Sequence, residues 1–346
     1  CHLLDRHGGV TYTWRKSVLP EIPTTHAKLP PASLQSANRF GVDGVSVMAQ
    51  LTILMPCLNE AETIGTCIKK AKDWAKTQTF TTEVLIADNG STDGSIEIAE
   101  SLGARVVRVK ERGYGEALFA GCQAAAGEWI IMGDADDSYN FASLDPFVEK
   151  FQEGYELVMG NRFQGGIADG AMPWKNRHIG NPTLSFVGRA LFRIPVRDFH
   201  CGLRGITKQA FERIDLRTSG MEFASEMVIK AAQRDLRIVE VPTTLDKDGR
   251  SRPPHLRPYR DGWRHLRFMM LFSPRWLFLI PGAVLLAVSL VLYIRLLLGP
   301  LSLGVVSLDI RGLFFAQTGA LLGLLAVLTA VATRAMGTRD GMFVKH

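Results

Sequence analysis

Trp129-Ile130-Ile131-Met132-Gly133-Asp134-Ala135-Asp136-Asp137 joins a run of apolar residues to a cluster of acids. An apolar run that ends abruptly in acids reads as a buried parallel strand delivering carboxylates to the carboxyl edge of a sheet. Asp134 and Asp136 are two residues apart, and Asp137 follows at once. Carboxylates this close raise one another's pKa unless a cation neutralises them. Two readings fit: a turn with aspartate caps, or a hard-metal site for Mg²⁺ or Mn²⁺ that holds the phosphates of a nucleotide. The flanking chain favours the second.

Upstream, Leu51–Met55 forms a candidate first strand, stopped by Pro56. Asn59 with Glu62 resembles a capping box, and Ile64, Ile68, Ala71 and Ala75 then mark one face of a helix. Glu83–Ala87 is a second strand, closed by the polar turn Asp88-Asn89-Gly90-Ser91-Thr92-Asp93-Gly94. A helix through Ile96, Ala99 and Leu102 stops at Gly103, and Arg105–Val109 is a third strand. Gly113 to Ala126 is a small-residue helix leading into the acid-tipped strand. This βαβαβαβ alternation predicts an α/β fold, a parallel sheet with helices on both faces. It places Pro56, Asp88 and Asp134–Asp137 on one carboxyl edge, where such sheets bind ligands. Asp88 there accepts from a base or ribose, or else caps a helix. No GxGxxG follows the first strand and no GxxxxGK[ST] occurs, which disfavours a dinucleotide oxidoreductase and a P-loop NTPase. The glycines at 113 and 115 instead let the Lys110–Gly115 loop approach a ligand closely.

Pro56 with Asn59-Glu60, Asp88-x-Gly-Ser-x-Asp93 and Asp134-Ala-Asp136, taken in this order, resemble the inverting glycosyltransferases of family 2, which have a GT-A fold. More narrowly the chain resembles their dolichyl-phosphate mannosyltransferase and polyprenyl-phosphate glycosyltransferase branch, over residues 51 to about 270. The resemblance implies a nucleoside-diphosphate sugar donor, UDP- or GDP-linked. Its binding set would be Pro56, Asn59, Glu60, Asp88, Lys110, Arg250, Ser251 and Arg252, with Asp88 and Glu60 on base and ribose. Asp134 and Asp136 would hold the diphosphate through Mg²⁺ or Mn²⁺. Ser138, standing where the branch often has Gln, would complete the metal set. Arg162 and Arg204 would join Asp134 and Asp136 as catalytic residues.

On the acceptor side, Tyr155–Met159 reads as a strand followed by Gly160-Asn161-Arg162-Phe163. Arg162 is either a surface salt-bridge partner or, as the resemblance implies, a phosphate contact. Gly165 to Gly170 reads as a mobile loop over the site. Trp174–Leu191 has basic and apolar faces, which suit a water–lipid boundary, with a solvent-facing arginine row as the plainer alternative. Asp198-Phe-His200-Cys201-Gly202-Leu203-Arg204 is similar to the family's stretch framing the acceptor phosphate, although Asp198 and Arg204 can also simply pair. Glu222 and Glu226 orient acceptor or sugar, or favour a helix N-terminus. Val239–Leu245 is the last strand. An ionised lipid phosphate is already nucleophilic, so no histidine is assigned as general base; His178, His200, His255 and His265 are left structural or peripheral.

The domain organisation expected is a loose, proline-broken arm over 1–48, the GT-A domain over 49–246, and a basic juxtamembrane segment over 247–275. Two transmembrane helices then occupy 276–333, and a cytoplasmic tail follows over 334–346. The apolar runs Trp276–Ile294 and Gly312–Thr333 are each long enough to span a bilayer. Arginines on both outer flanks put the catalytic domain in the cytoplasm, making a multi-pass protein of the cell membrane. Lys+Arg number 40 against 34 Asp+Glu, a net charge of +6. That excess suits a polyanion or an anionic membrane, and the basic patch's direct entry into apolar chain excludes nucleic acid as the partner. The five cysteines lie in no zinc or disulfide spacing. The chain starts at Cys1 rather than Met, as a fragment would, and the end at His346 leaves further spans open. Homo-oligomerisation is left open too.

The function expected is metal-dependent transfer of a sugar, with inversion, from a nucleoside-diphosphate sugar to a polyprenyl phosphate. The alternative is a family 2 enzyme acting on another membrane lipid or a cell-envelope glycan. A processive polysaccharide synthase fits less well, because no Gln-x-x-Arg-Trp motif is present. A membrane scaffold that merely retains the fold would show a degraded acid cluster.

Overall fold

The strand expected at the acid-tipped stretch is β4 (Trp129–Met132), buried at every residue. In the computed structural model, which describes residues 49–251, 258–303, 306–308, 310–341 and 343, it is the middle strand of a seven-stranded sheet. On one side lie β1 (Leu51–Cys57), β2 (Thr82–Asp88) and β3 (Arg105–Arg108); on the other lie β6 (Arg204–Thr207), β5 (Leu157–Asn161) and β7 (Ile238–Pro242). The first half is parallel throughout. β6 then runs antiparallel to both β4 and β5, and β5 is parallel to β7. The sheet is therefore mixed rather than wholly parallel. The reversed strand pairs Arg204 with Met132, which brings the Asp198–Arg204 stretch beside the carboxyl end of β4.

Alternation along β1 shows why the sheet needs cover on both faces. Ile53 and Met55 pack in one core with α1 (Ile64–Lys76), while Leu54 packs in the other with α3 (Tyr114–Ala124). Ile64, Cys67, Ile68, Ala71 and Trp74 form the buried stripe of α1. α2 (Ser95–Ser101) and α4 (Asp145–Gln152) complete that half with their connecting turns. After β5 come the short α5 (Arg162–Gly165), a π-helical turn at Asn176–Gly180 and α6 (Asn181–Phe192). α7 (Lys208–Ile214), α8 (Phe223–Gln233) and α9 (Pro258–Leu271) follow.

Three local expectations are corrected. β1 continues through Pro56 to Cys57, because that residue needs no N–H donor at the strand end. The capping box is absent: Thr63 precedes α1 without a side-chain cap, and Asn59 Oδ1 accepts from Thr92 N at 2.8 Å instead. The last two sheet strands are also displaced from Tyr155–Met159 and Val239–Leu245, to Leu157–Asn161 and Ile238–Pro242. The arm at 1–48 lies outside the described residues.

Among the described residues, two helices are long and apolar enough to cross a membrane, Arg275–Leu297 and Arg311–Arg339. The first is a π-helical turn, Arg275–Leu279, continued by α10 (Ile280–Leu297); the second belongs to α11 (Ile310–Arg339). A small antiparallel pair joins them, β8 (Leu301–Leu303) with β9 (Val306–Leu308). Small residues let the helices approach closely: a Cβ at Gly282 would lie 2.7 Å from Ala326 Cβ, and one at Gly323 would lie 2.6 Å from Leu286 N. Val284, Val288, Val291, Phe314, Phe315 and Leu325 face outward. A core helix of a soluble protein would bury such residues.

Candidate active site

The loops after β1 and β2 are laced together by side chains the sequence clusters there. Asn59 N donates to Ser91 Oγ at 2.8 Å, Glu60 N donates to Ser95 Oγ at 2.8 Å, and Ala61 N donates to Asp93 Oδ2 at 2.9 Å. Asn59 adopts φ 59°, a left-handed conformation that Asn tolerates better than most residues. Asp88 is buried at the end of β2, and its carboxylate accepts from Gly90 N at 3.0 Å and Ser91 N at 3.1 Å. Asp88 thus organises the turn from within, at the register position opposite Cys57. Lys110, just past β3, is exposed.

The three acids after β4 do three different things. Asp134 is half-buried and accepts from Tyr114 Oη at 3.0 Å. Burial, with Asp136's charge as the next cause, pushes its carboxyl up to about 6. Asp136 is buried; its Oδ1 accepts from Ser138 Oγ at 2.6 Å and Ser138 N at 3.1 Å. Asp137 turns away, at φ 61°, to pair with Lys70 at 2.7 Å. Gly202 explains its own identity here, since a Cβ would sit 2.6 Å from Asp134 Oδ2. Tyr114 went unnoticed in the sequence, although it directly follows Gly113 in the loop expected to approach a ligand.

Among the described residues no three His, Cys, Asp or Glu side chains gather as a complete metal cage. The chemistry nonetheless fits a hard divalent ion. Asp134 and Asp136 are oxygen donors on one loop, and burial with Asp136's charge disfavours ionised Asp134, a penalty a bound cation would offset. A Mg²⁺-like ion keeps several water or phosphate oxygens beyond one or two protein carboxylates.

Over the acids runs the segment after β7. Gly249 N donates to Asp136 O at 3.0 Å, and Asp246 N donates to Ser138 O at 2.9 Å. Arg250 reaches from it to Asp136 Oδ2 at 2.7 Å, Glu60 Oε1 at 3.1 Å and Asp248 Oδ2 at 3.2 Å. One guanidinium thereby joins the loops after β1 and β4. Ser251 donates through N at 2.7 Å and Oγ at 2.6 Å to Glu62, so Glu62 anchors the segment rather than capping α1. Arg252 lies outside the described residues.

Arg162 and Arg204 are both buried. Arg162 forms a bidentate pair with Asp198, Nε and Nη2 each at 2.7 Å, and its backbone N adds a bond of 3.0 Å. Asp198 therefore pairs with Arg162 and not with Arg204. Arg204 donates to the carbonyls of Cys201 and Ala224, Nη1 reaching the latter at 2.9 Å. Behind it, His265 Nδ1 lies 2.8 Å from Ser225 Oγ and His200 Nε2 lies 3.4 Å from the same oxygen. Burial lowers both histidine pKa values, His265 to about 4 and His200 well below its ordinary value. Both are neutral at physiological pH. Glu226 is buried as well, receiving Arg217 N and Thr218 N and pairing with Lys230 at 2.8 Å, so it holds the turn before α8.

The sequence pattern of glycosyl transferase family 2 matches residues 52–215. Among curated proteins, the dolichyl-phosphate hexose transferase of Haloferax volcanii is 31% identical over 192 residues, covering 56% of this chain and 81% of that one. This chain belongs to glycosyl transferase family 2. The family 2 chain is also similar to the low-salt glycan biosynthesis hexosyltransferase Agl6 of the same organism, at 38% identity over 233 residues. That match takes in 67% of this chain but 56% of the relative, so this chain spans little more than half of Agl6's length. Among solved structures, a mycobacterial protein superposes with a TM-score of 0.53 at 19% identity, covering 66% of this chain and 79% of that one. Glucosyl-3-phosphoglycerate synthase from Mycobacterium tuberculosis, in complex with Mn²⁺ and UDP-glucose, gives 0.50 at 22% identity, covering 64% and 78%. These likenesses show the GT-A fold, and the family expected from the ordered motifs is the one found.

Proposed function

We propose that this family 2 chain transfers a sugar from a nucleoside-diphosphate sugar to a polyprenyl phosphate, with inversion, on the cytoplasmic side of a membrane. The observation that carries the reading is one juxtaposition. Arg250 pairs with Asp136, two residues after Asp134, at a sheet edge of a chain whose described residues continue into two helices of membrane-spanning length. The similarity to a dolichyl-phosphate hexose transferase supports a lipid phosphate as acceptor.

In this reading the donor's base and ribose lie over the laced loops at Asn59–Glu60 and Asp88–Asp93. Its diphosphate lies over Asp134–Asp136. A Mg²⁺ or Mn²⁺ ion held by Asp134 and Asp136 would offset charge on the departing diphosphate. Ser138 fixes the rotamer of Asp136, and Tyr114 fixes that of Asp134. Arg250 exchanges its bond to Asp136 for a phosphate oxygen, a contact its planar fork suits. An acceptor phosphate oxygen forms the bond to the anomeric carbon while the bond to the diphosphate breaks. The electron pair leaves with the nucleoside diphosphate. That nucleophile is already ionised, which fits a site whose nearby histidines are neutral and buried. Arg162 and Arg204 position the acceptor side, Arg162 by fixing Asp198 and Arg204 by holding the Cys201–Arg204 turn.

A related reading, transfer to another membrane lipid or a cell-envelope glycan, draws on the similarity to Agl6. The test is nucleoside-diphosphate release by the purified full chain, offered UDP- and GDP-sugars with and without polyprenyl phosphate. One donor should be consumed only when polyprenyl phosphate is present. Release stimulated equally by diacylglycerol, and not by polyprenyl phosphate, would contradict the reading.

A further inference from the structure

Away from the donor edge lies a cavity of about 470 Å³, between the ends of α6, α8 and α9 and the membrane-length hairpin. Among the described residues its charged lining is Arg193, Arg275 and Arg334, with no acid. All three arginines are exposed, and none forms an ion pair with an acidic side chain among the described residues. The remaining wall is largely apolar, with Phe272, Trp276 and Ala330 among it. The helix pair sets the level of this site. Gly282 packs on Ala326 and Gly319 on Ser289. Continuing that antiparallel register two turns toward the start of the first helix brings Arg275 level with Arg334. The cavity therefore sits where the hairpin meets the catalytic domain, at the arginine-flanked end of both membrane-length helices.

It is separate from the active site. Gln233, at the far end of α8, lines it, whereas Phe223 at the near end packs under Gly115 of the donor-side loop. Ten residues of helix put about 15 Å between them.

We infer that this cavity binds an anionic membrane phospholipid, its phosphate among Arg193, Arg275 and Arg334 and its chains along the apolar hairpin. Basic pockets between membrane helices on the cytoplasmic side take such headgroups, and the volume suits a headgroup with the start of its chains. Three arginines that meet no acidic side chain among the described residues leave an excess of charge that zwitterionic lipid would not balance. The inference rests on the membrane placement within the proposed function, but not on the sugar-transfer chemistry.

The test uses the full chain in nanodiscs of equal phosphatidylglycerol and phosphatidylcholine, with retained lipid counted by native mass spectrometry. Phosphatidylglycerol should be retained about fivefold over phosphatidylcholine, the size expected of about one basic side chain at an anionic surface. The triple change Arg193→Gln, Arg275→Gln, Arg334→Gln should abolish the preference. The corresponding change of all three to Lys should keep most of it, separating charge from folding. Equal retention by the native chain, or a preference surviving the Gln changes, would overturn the site. Displacement of phosphatidylglycerol by equimolar polyprenyl phosphate would reassign the cavity to the acceptor and overturn it as well. Release of the chain from membranes by alkaline carbonate would instead remove the membrane placement, and the inference with it.

Discussion

At the residue scale, the account turns on which charges face the open edge and which are locked inside. The placement of Asp134 and Asp136 after a buried strand was legible, because an apolar run ending in acids marks a strand end. Asp137 looked equivalent, yet its left-handed backbone turns it to Lys70, a partner 67 residues away. The partner of Arg162 was unreadable for the same reason. That bidentate partner, Asp198, is 36 residues on, and only β6 and the loop before it bring the two together. Asp136→Asn should lower turnover about 10²- to 10³-fold, the loss typical when one preorganised charge is removed from a transition-state site. Initial rates over a Mg²⁺ and Mn²⁺ titration check this, and undiminished turnover would remove Asp136 from the site. Arg250→Lys keeps charge but loses the fork, so nucleoside-diphosphate affinity should fall about tenfold, which is about 1.4 kcal/mol by calorimetry. Arg162→Ala leaves Asp198 buried without its cation. Breaking such a pair costs about 3–5 kcal/mol, so denaturant unfolding should show the loss even if donor binding survives.

At the element scale, periodicity carried the first half of the domain and misled in the second. Parallel strands buried on both faces announce themselves as apolar runs, and β1, β2 and β4 did so. β6 is only Arg-Gly-Ile-Thr, too short and polar to stand out, and reading it as an acceptor motif concealed a strand. Its reversal makes the sheet mixed and carries Arg204 beside the carboxyl end of β4. α9 offers a test of packing. The depressed His265 pKa arises first from burial, with Arg204 and Arg264 adding to it and Asp261 opposing. The unfolded chain binds this proton more readily than the folded one, so stability rises with pH. The contribution is complete above the ordinary histidine value of about 6.5. It is lost progressively as pH falls toward the folded value of about 4. The slope of melting temperature against pH over this interval should flatten in His265→Gln, and an unchanged slope would assign the pH response elsewhere.

At the scale of the whole molecule, the hairpin was plain in the sequence because apolar runs of that length are rare in soluble folds. Its attachment was not. Arg217 donates to Asp340 O at 3.0 Å, tying the catalytic domain to the end of α11, a contact no local pattern predicts. The proposed orientation is open to topology mapping, since the cysteines among the described residues are all buried. In a Cys1→Ser background, single cysteines in the 296–310 loop should react with a membrane-impermeant reagent on whole cells, and one at Lys247 should not. Reversed labelling would place the donor site away from cytosolic nucleotide sugars. The central claim is that Asp134, Asp136 and Arg250 serve transfer to a lipid phosphate. Mass spectrometry with anomeric NMR of the lipid product, made by the full chain from its preferred donor and polyprenyl phosphate, tests it most directly. The expected product is a glycosyl polyprenyl phosphate whose anomeric configuration is opposite to the donor's. A product with retained configuration, or sugar found only on diacylglycerol or a growing glycan, would contradict it.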